Sequence, residues 1–109
     1  MNWQDLHSID QLSEIDALSA EAPVLIFKHS TRCSISAAAK SRLERGWDQA
    51  PLRSYYLDLL QFRPISNAIA DRYEVEHESP QVLVIRNGKS VYQASHIEIR
   101  PEAIEAQLG

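Results

Sequence analysis

The chain has 109 residues, 44% of them hydrophobic and 24% charged. That is the balance of a globular protein with one ordinary core, not of a disordered, collagen-like or coiled-coil chain. The formal net charge of −4 has the wrong sign for a nucleic-acid binder, which needs a basic patch or stripe.

The N-terminal MNWQDLHSID holds acids and no apolar stretch, so it does not read as an export signal, and a reducing cytoplasm is the expected compartment. No membrane partner is expected either, since the longest apolar run, Val24 to Phe27, is too short to cross a bilayer. The first helical signal is SIDQ, where Ser8 and Gln11 suit a capping box. Ile9, Leu12, Ile15 and Leu18 follow at helical spacing, and this helix should end near Ala20, before Pro23. VLIF, residues 24–27, is a short apolar run that suits a strand buried on both faces. SISAAAKSRLERG, residues 34–46, is rich in alanine and long side chains and closes on Gly46, a helix with a glycine stop. LRSYYLDLL, residues 52–60, reads as a second strand, with Tyr55 and Tyr56 packing on opposite sides of it. Strand, helix and strand at this spacing predict a right-handed parallel βαβ unit.

Pro64 opens a third helix on which Ile65, Ala68, Ile69 and Tyr73 share one face. The acidic run from Glu74 to Glu78 reads as a solvated loop. QVLVI, residues 81–85, is another buried strand. Asn87-Gly88 is a strong hairpin signal, and SVYQA, residues 90–94, returns as the antiparallel partner. Pro101 to Leu108 forms a last short helix with Ile104 and Leu108 facing inward. The expected fold is a single α/β domain over residues 1–109, with a mixed four-stranded central sheet flanked by helices.

Cys33 is the only cysteine. It cannot form an internal disulfide, so the thiol is either free or forms mixed disulfides. A lone cysteine is often a small buried hydrophobe, but this one falls between a strand and a helix. A helix N-terminus offers unpaired N–H groups and partial positive charge, which favour the thiolate, the reactive form. Arg32 and Lys28 add positive charge if their side chains turn toward the sulfur. Ser36 stands one helical turn on, where a dithiol protein would carry a second cysteine. Its hydroxyl can donate to a thiolate but cannot attack a mixed disulfide; the alternative is an ordinary polar residue of a first helical turn. Thr31 suits a helix cap or a hydrogen-bond partner of the sulfur. His29 is read first as a structural histidine, and second as a cation or proton donor for the thiol. The remaining histidines, His7, His77 and His96, have no metal-ligand spacing.

The order of elements, with the cysteine at a strand–helix junction, resembles the thioredoxin fold. KHSTRCSIS (residues 28–36) together with HESPQVLVIRNGK (residues 77–89) resembles the YtxJ-type monothiol bacilliredoxins, and the similarity runs from Trp3 through the hairpin. Ser34 stands where proline often follows the cysteine, which leaves the first helical turn less constrained. The resemblance implies a cis bond between Ser79 and Pro80, turning the Ser79 backbone toward the sulfur, ready to pair with an incoming substrate chain. Without it a trans bond would be expected, since only about 5–6% of X–Pro bonds in folded proteins are cis. The resemblance further implies that the protein removes bacillithiol, a low-molecular-weight thiol, from S-bacillithiolated proteins. Cys33 would take the small thiol as a mixed disulfide, and a second bacillithiol would release it. Bacillithiol is then a co-substrate, and no bound cofactor is expected.

Three other readings stand beside this one. An iron–sulfur carrier of the related monothiol type usually has Cys-Gly-Phe-Ser, whereas Ser34-Ile35 fill the middle here. A thioredoxin-fold adaptor would make Cys33 incidental. An arsenate reductase needs a cluster of arginines, and only Arg32 adjoins the cysteine.

Overall fold

The computed structural model describes residues 3–46 and 53–107. The chain runs β1 (Trp3–Asp5), α1 (Asp10–Ser19), β2 (Val24–His29), α2 (Ser34–Gly46), β3 (Arg53–Asp58), α3 (Arg63–Arg72), β4 (Gln81–Arg86), β5 (Lys89–Ser95), a 3-10 turn (His96–Glu98) and α4 (Pro101–Glu105). The strands form one sheet in the order β1-β3-β2-β4-β5. β1, β3 and β2 are parallel, β4 is antiparallel to β2, and β5 is antiparallel to β4.

The sheet therefore has five strands, not four. The additional strand is Trp3–Asp5, paired with β3 through Trp3↔Ser54, Gln4↔Tyr55 and Asp5↔Tyr56. Three residues with two polar side chains carry no alternation to read; the strand forms because β3 offers an unpaired edge. The expected inward placement of Leu108 lies outside the described residues, as does Leu52.

Every residue of β2 is buried, as befits a central strand covered on both faces. Alternation along it divides the core. Val24 and Ile26 join Leu12 and Ile15 of α1 and Ile65 and Ile69 of α3. Leu25 and Phe27 join Ala39 and Leu43 of α2 and Ile104 of α4. Thus α1 and α3 cover one face, α2 and α4 the other. Tyr55 packs in the first cluster and Tyr56 against the second, on opposite sides of β3 as their parity requires.

Local signals explain most boundaries. Gln11 Oε1 accepts from the Ser8 and His7 N–H groups at 3.0 and 2.7 Å, which is the backward half of a capping box. The forward half differs: Ser8 Oγ accepts from Asp10 N–H at 3.3 Å, and Ile9, the residue that precedes α1, makes no side-chain cap bond. Asn87 (φ 54°) and Gly88 (φ 74°) make the hairpin turn, with positive φ at both positions as a type I′ turn needs. At the end of α2, a Cβ on Gly46 would stand 2.5 Å from Pro101 Cγ, so α2 and α4 meet through a position only glycine fills.

Candidate active site

The carboxyl end of β2 leads through a tight turn into α2. Cys33 closes that turn, its N–H donating to the Ser30 carbonyl at 3.1 Å. Its own carbonyl accepts from Ala37 N–H at 3.0 Å. Cys33 thus occupies the cap position of α2, where backbone N–H groups point outward with partial positive charge. The thiol is free and half-buried. Thr31, Arg32, Ser34 and Ile35 around it are exposed, so an incoming disulfide can reach the sulfur.

Ser36 is completely buried. Its Oγ accepts from Ser30 N–H at 3.0 Å and lies 2.6 Å from His29 Nδ1. Among the described residues no hydrogen bond reaches the Cys33 sulfur, so in this structure Ser36 serves the turn and His29 rather than the thiol. His29 itself is buried, its ring 5.5 Å from Phe27 and 5.4 Å from Tyr56. Burial lowers its pKa, with Lys40 acting the same way and Asp58 and Glu44 opposing. It is therefore a neutral histidine at neutral pH, and its contacts are those of a structural residue that holds Ser36. A Ser36→Ala variant would leave His29 Nδ1 and Ser30 N–H without this partner. It should lose about 1–3 kcal/mol of stability in urea titrations.

The Ser79–Pro80 peptide bond is cis. Lys28 pairs with Gln81 across β2 and β4, so the register carried one step further sets Pro80 opposite His29, beside the turn that bears Cys33. The Pro80 carbonyl accepts from His96 N–H at 3.2 Å. Among the described residues no backbone hydrogen bond engages Ser79, which leaves its N–H and C=O open for another chain.

Lys28 departs from expectation. It alternates with Phe27 and His29 along β2, so its side chain passes to the opposite face of the sheet and away from the thiol. There its Nζ donates to the Ser66 carbonyl at 3.3 Å and approaches His77 Nδ1 at 3.4 Å. Burial lowers its pKa from 10.5 to about 8. Between those two values the unfolded chain holds a proton that the folded chain does not, so folding stability rises with pH across that window. From pH 7 to 9.5 this group should add about 2 kcal/mol, and Lys28→Met should flatten the rise. Urea unfolding at the two pH values checks this.

Arg32 stays at the exposed tip of the turn, with no hydrogen bond or ion pair among the described residues. Two neighbours are not read from the sequence as residues of this site. Tyr56 flanks His29. Arg42, in the middle of α2, donates from Nε to the Ile99 carbonyl at 3.1 Å and from Nη2 to the His96 carbonyl at 3.0 Å, tying α2 to the turn that also holds Pro80. In sequence Arg42 is one more cation on an exposed helix face, and nothing distinguishes it from Arg45.

Residues 4–104 match the family model described as monothiol bacilliredoxin BrxC. Among solved structures, a candidate oxidoreductase with a thioredoxin fold is 32% identical, with a TM-score of 0.84 over 95% of this chain and 91% of that one. Thioredoxin from Malassezia sympodialis is 17% identical, with a TM-score of 0.73 over 98% of this chain and 88% of its own. The Fasciola hepatica thioredoxin is 15% identical, with a TM-score of 0.72 over 96% and 95%. These last two share the fold.

Proposed function

The chain belongs to the monothiol bacilliredoxin family and is a redox protein working through a thiol, and from that premise we propose that Cys33 strips bacillithiol from S-bacillithiolated proteins. The observation that carries the proposal is a sole cysteine, free at the start of α2, with a buried serine one turn on where a second thiol would stand.

The chemistry runs in two exchanges. In the first, the Cys33 thiolate attacks the bacillithiol sulfur of the mixed disulfide. The old S–S bond breaks, the substrate cysteine leaves as its thiolate, and Cys33 carries the small thiol. No electrons are gained or lost overall. In the second, the thiolate of a free bacillithiol attacks the bacillithiol sulfur on Cys33. Cys33 leaves as a thiolate, and the small thiol departs as its symmetrical disulfide. Ser36 has no thiol with which to shortcut this step, so the Cys33 adduct waits for an external thiol. Ser79, whose backbone makes no hydrogen bond among the described residues, suits pairing with the substrate chain.

The second exchange tests the choice of small thiol. Cys33 carrying bacillithiol should persist in buffer and discharge on addition of bacillithiol, faster than on addition of glutathione. An adduct that discharges equally fast with either would overturn the specificity for bacillithiol. One that discharges with neither would overturn the exchange cycle.

A further inference from the structure

A buried polar cluster lies on the face of the sheet turned away from α2. Lys28 and Gln81, register partners on β2 and β4, are 0% and 1% exposed. Lys28 Nζ reaches the Ser66 carbonyl on α3 and His77 Nδ1 in the loop after α3. Ser66 Oγ lies 3.2 Å from the same His77 nitrogen. Gln81 Nε2 donates to the Glu76 carbonyl and to Gln93 Oε1, both at 2.9 Å. Two neighbouring side chains of the sheet thus grip two consecutive residues of the loop, Glu76 and His77. Two residues further along stands Ser79.

We propose that Lys28 is a positioning residue for substrate: its buried ammonium, acting through His77, holds residues 76–79 against the sheet and so sets the Ser79 backbone beside Cys33. This rests on the reading of Ser79 as the edge that pairs with a protein substrate. Three features support it. Among the described residues no carboxylate lies within ion-pair distance of Lys28, so this ammonium is desolvated without a countercharge, which is costly. The rest of its face of β2 is apolar, Val24 and Ile26, so a methionine would suit the core better; the lysine serves the loop instead. Lastly, the neighbouring groups favour a donor here. His77 is pushed toward its neutral form by burial, Lys28 and Arg63 of α3, with Glu78 opposing, and a neutral Nδ1 can accept from the ammonium.

Loss of the Lys28 proton near pH 8 then weakens the tether. Protein substrate should bind less tightly above that pH, while a small disulfide that does not lie along Ser79 should be unaffected.

The test uses the intact protein, Lys28→Met and His77→Ala, the latter at an exposed position. Two readouts are taken: hydrogen–deuterium exchange of residues 76–79, and KM and kcat with an S-bacillithiolated protein and with the mixed disulfide of cysteine and bacillithiol. Both variants should exchange faster in that segment and raise KM for the protein substrate by about tenfold, the scale of one charge-assisted hydrogen bond. Their kcat, and their rate with the small disulfide, should stay at wild-type values. Raising wild type from pH 7 to 9 should raise its KM likewise, with no such rise in Lys28→Met. Unchanged exchange in residues 76–79 would overturn the tether, and faster exchange with unchanged KM would overturn its role in substrate positioning. If Lys28→Met does not fold, His77→Ala decides on the same readouts. A wild-type protein that turns over no mixed disulfide would sink the functional reading, while the exchange data would still judge the tether.

Discussion

Replacing Cys33 with serine is expected to abolish thiol exchange while leaving the fold intact. The sulfur is the only group in the chain able to form a disulfide. A serine hydroxyl is a far weaker nucleophile and cannot make the S–S bond that thiol exchange requires. The rate should fall by roughly a thousandfold or more, to the level of uncatalysed exchange. Stability should change little, within about 0.5 kcal/mol, because the thiol is half-buried and no hydrogen bond reaches it among the described residues. Exchange kinetics and urea unfolding of the same preparation separate the two effects. A Cys33→Ser protein that still exchanged would mean that the cysteine is incidental.

The largest stability effect should come from Phe27→Ala. Phe27 is fully buried at the centre of the α2 face, packed with Leu43, Val82 and Ile99. Its ring lies 5.6 Å from Trp3, 5.5 Å from His29 and 6.4 Å from Tyr56. Truncation removes this packing and leaves a cavity that the sheet cannot close, at a cost of about 3–5 kcal/mol. Domains of this size are stable by only about 5–15 kcal/mol, so the variant should be marginal at 37 °C. The cavity also opens directly beside His29, so the 2.6 Å pairing with Ser36 should loosen and exchange should slow even where the variant remains folded. Urea unfolding with an unchanged m-value, together with exchange rates at 15 °C, checks both parts.

The two sides of β2 separate what is legible in the amino-acid sequence from what is not. VLIF marks a buried central strand, and a period of two puts Phe27 and His29 on one face and Ile26 and Lys28 on the other. That parity, carried two residues past the apolar run, already separates Lys28 from the thiol. Nearness in sequence to Cys33 is the wrong guide. The position of Ser36 follows from helical spacing, but its partner does not. A hydroxyl at the start of a helix can turn to the thiol, the turn backbone or a histidine, and only the packing of His29 between Phe27 and Tyr56 selects among them. β1 is invisible in sequence because Gln4 and Asp5 face solvent and the strand exists through its neighbour. The cis Ser79–Pro80 bond is reachable only by resemblance, since local sequence favours trans. Arg42 leaves no signal at all, because its carbonyl partners lie more than fifty residues away.

One measurement bears most directly on the central claim. The protein is mixed with a model protein carrying bacillithiol on its single cysteine, and both intact masses are followed with time, in parallel with the glutathionylated donor. The mass of bacillithiol should leave the donor and arrive on Cys33, and it should arrive faster than glutathione does. A donor that keeps its adduct while Cys33 stays free would contradict the claim that Cys33 is the exchanging nucleophile.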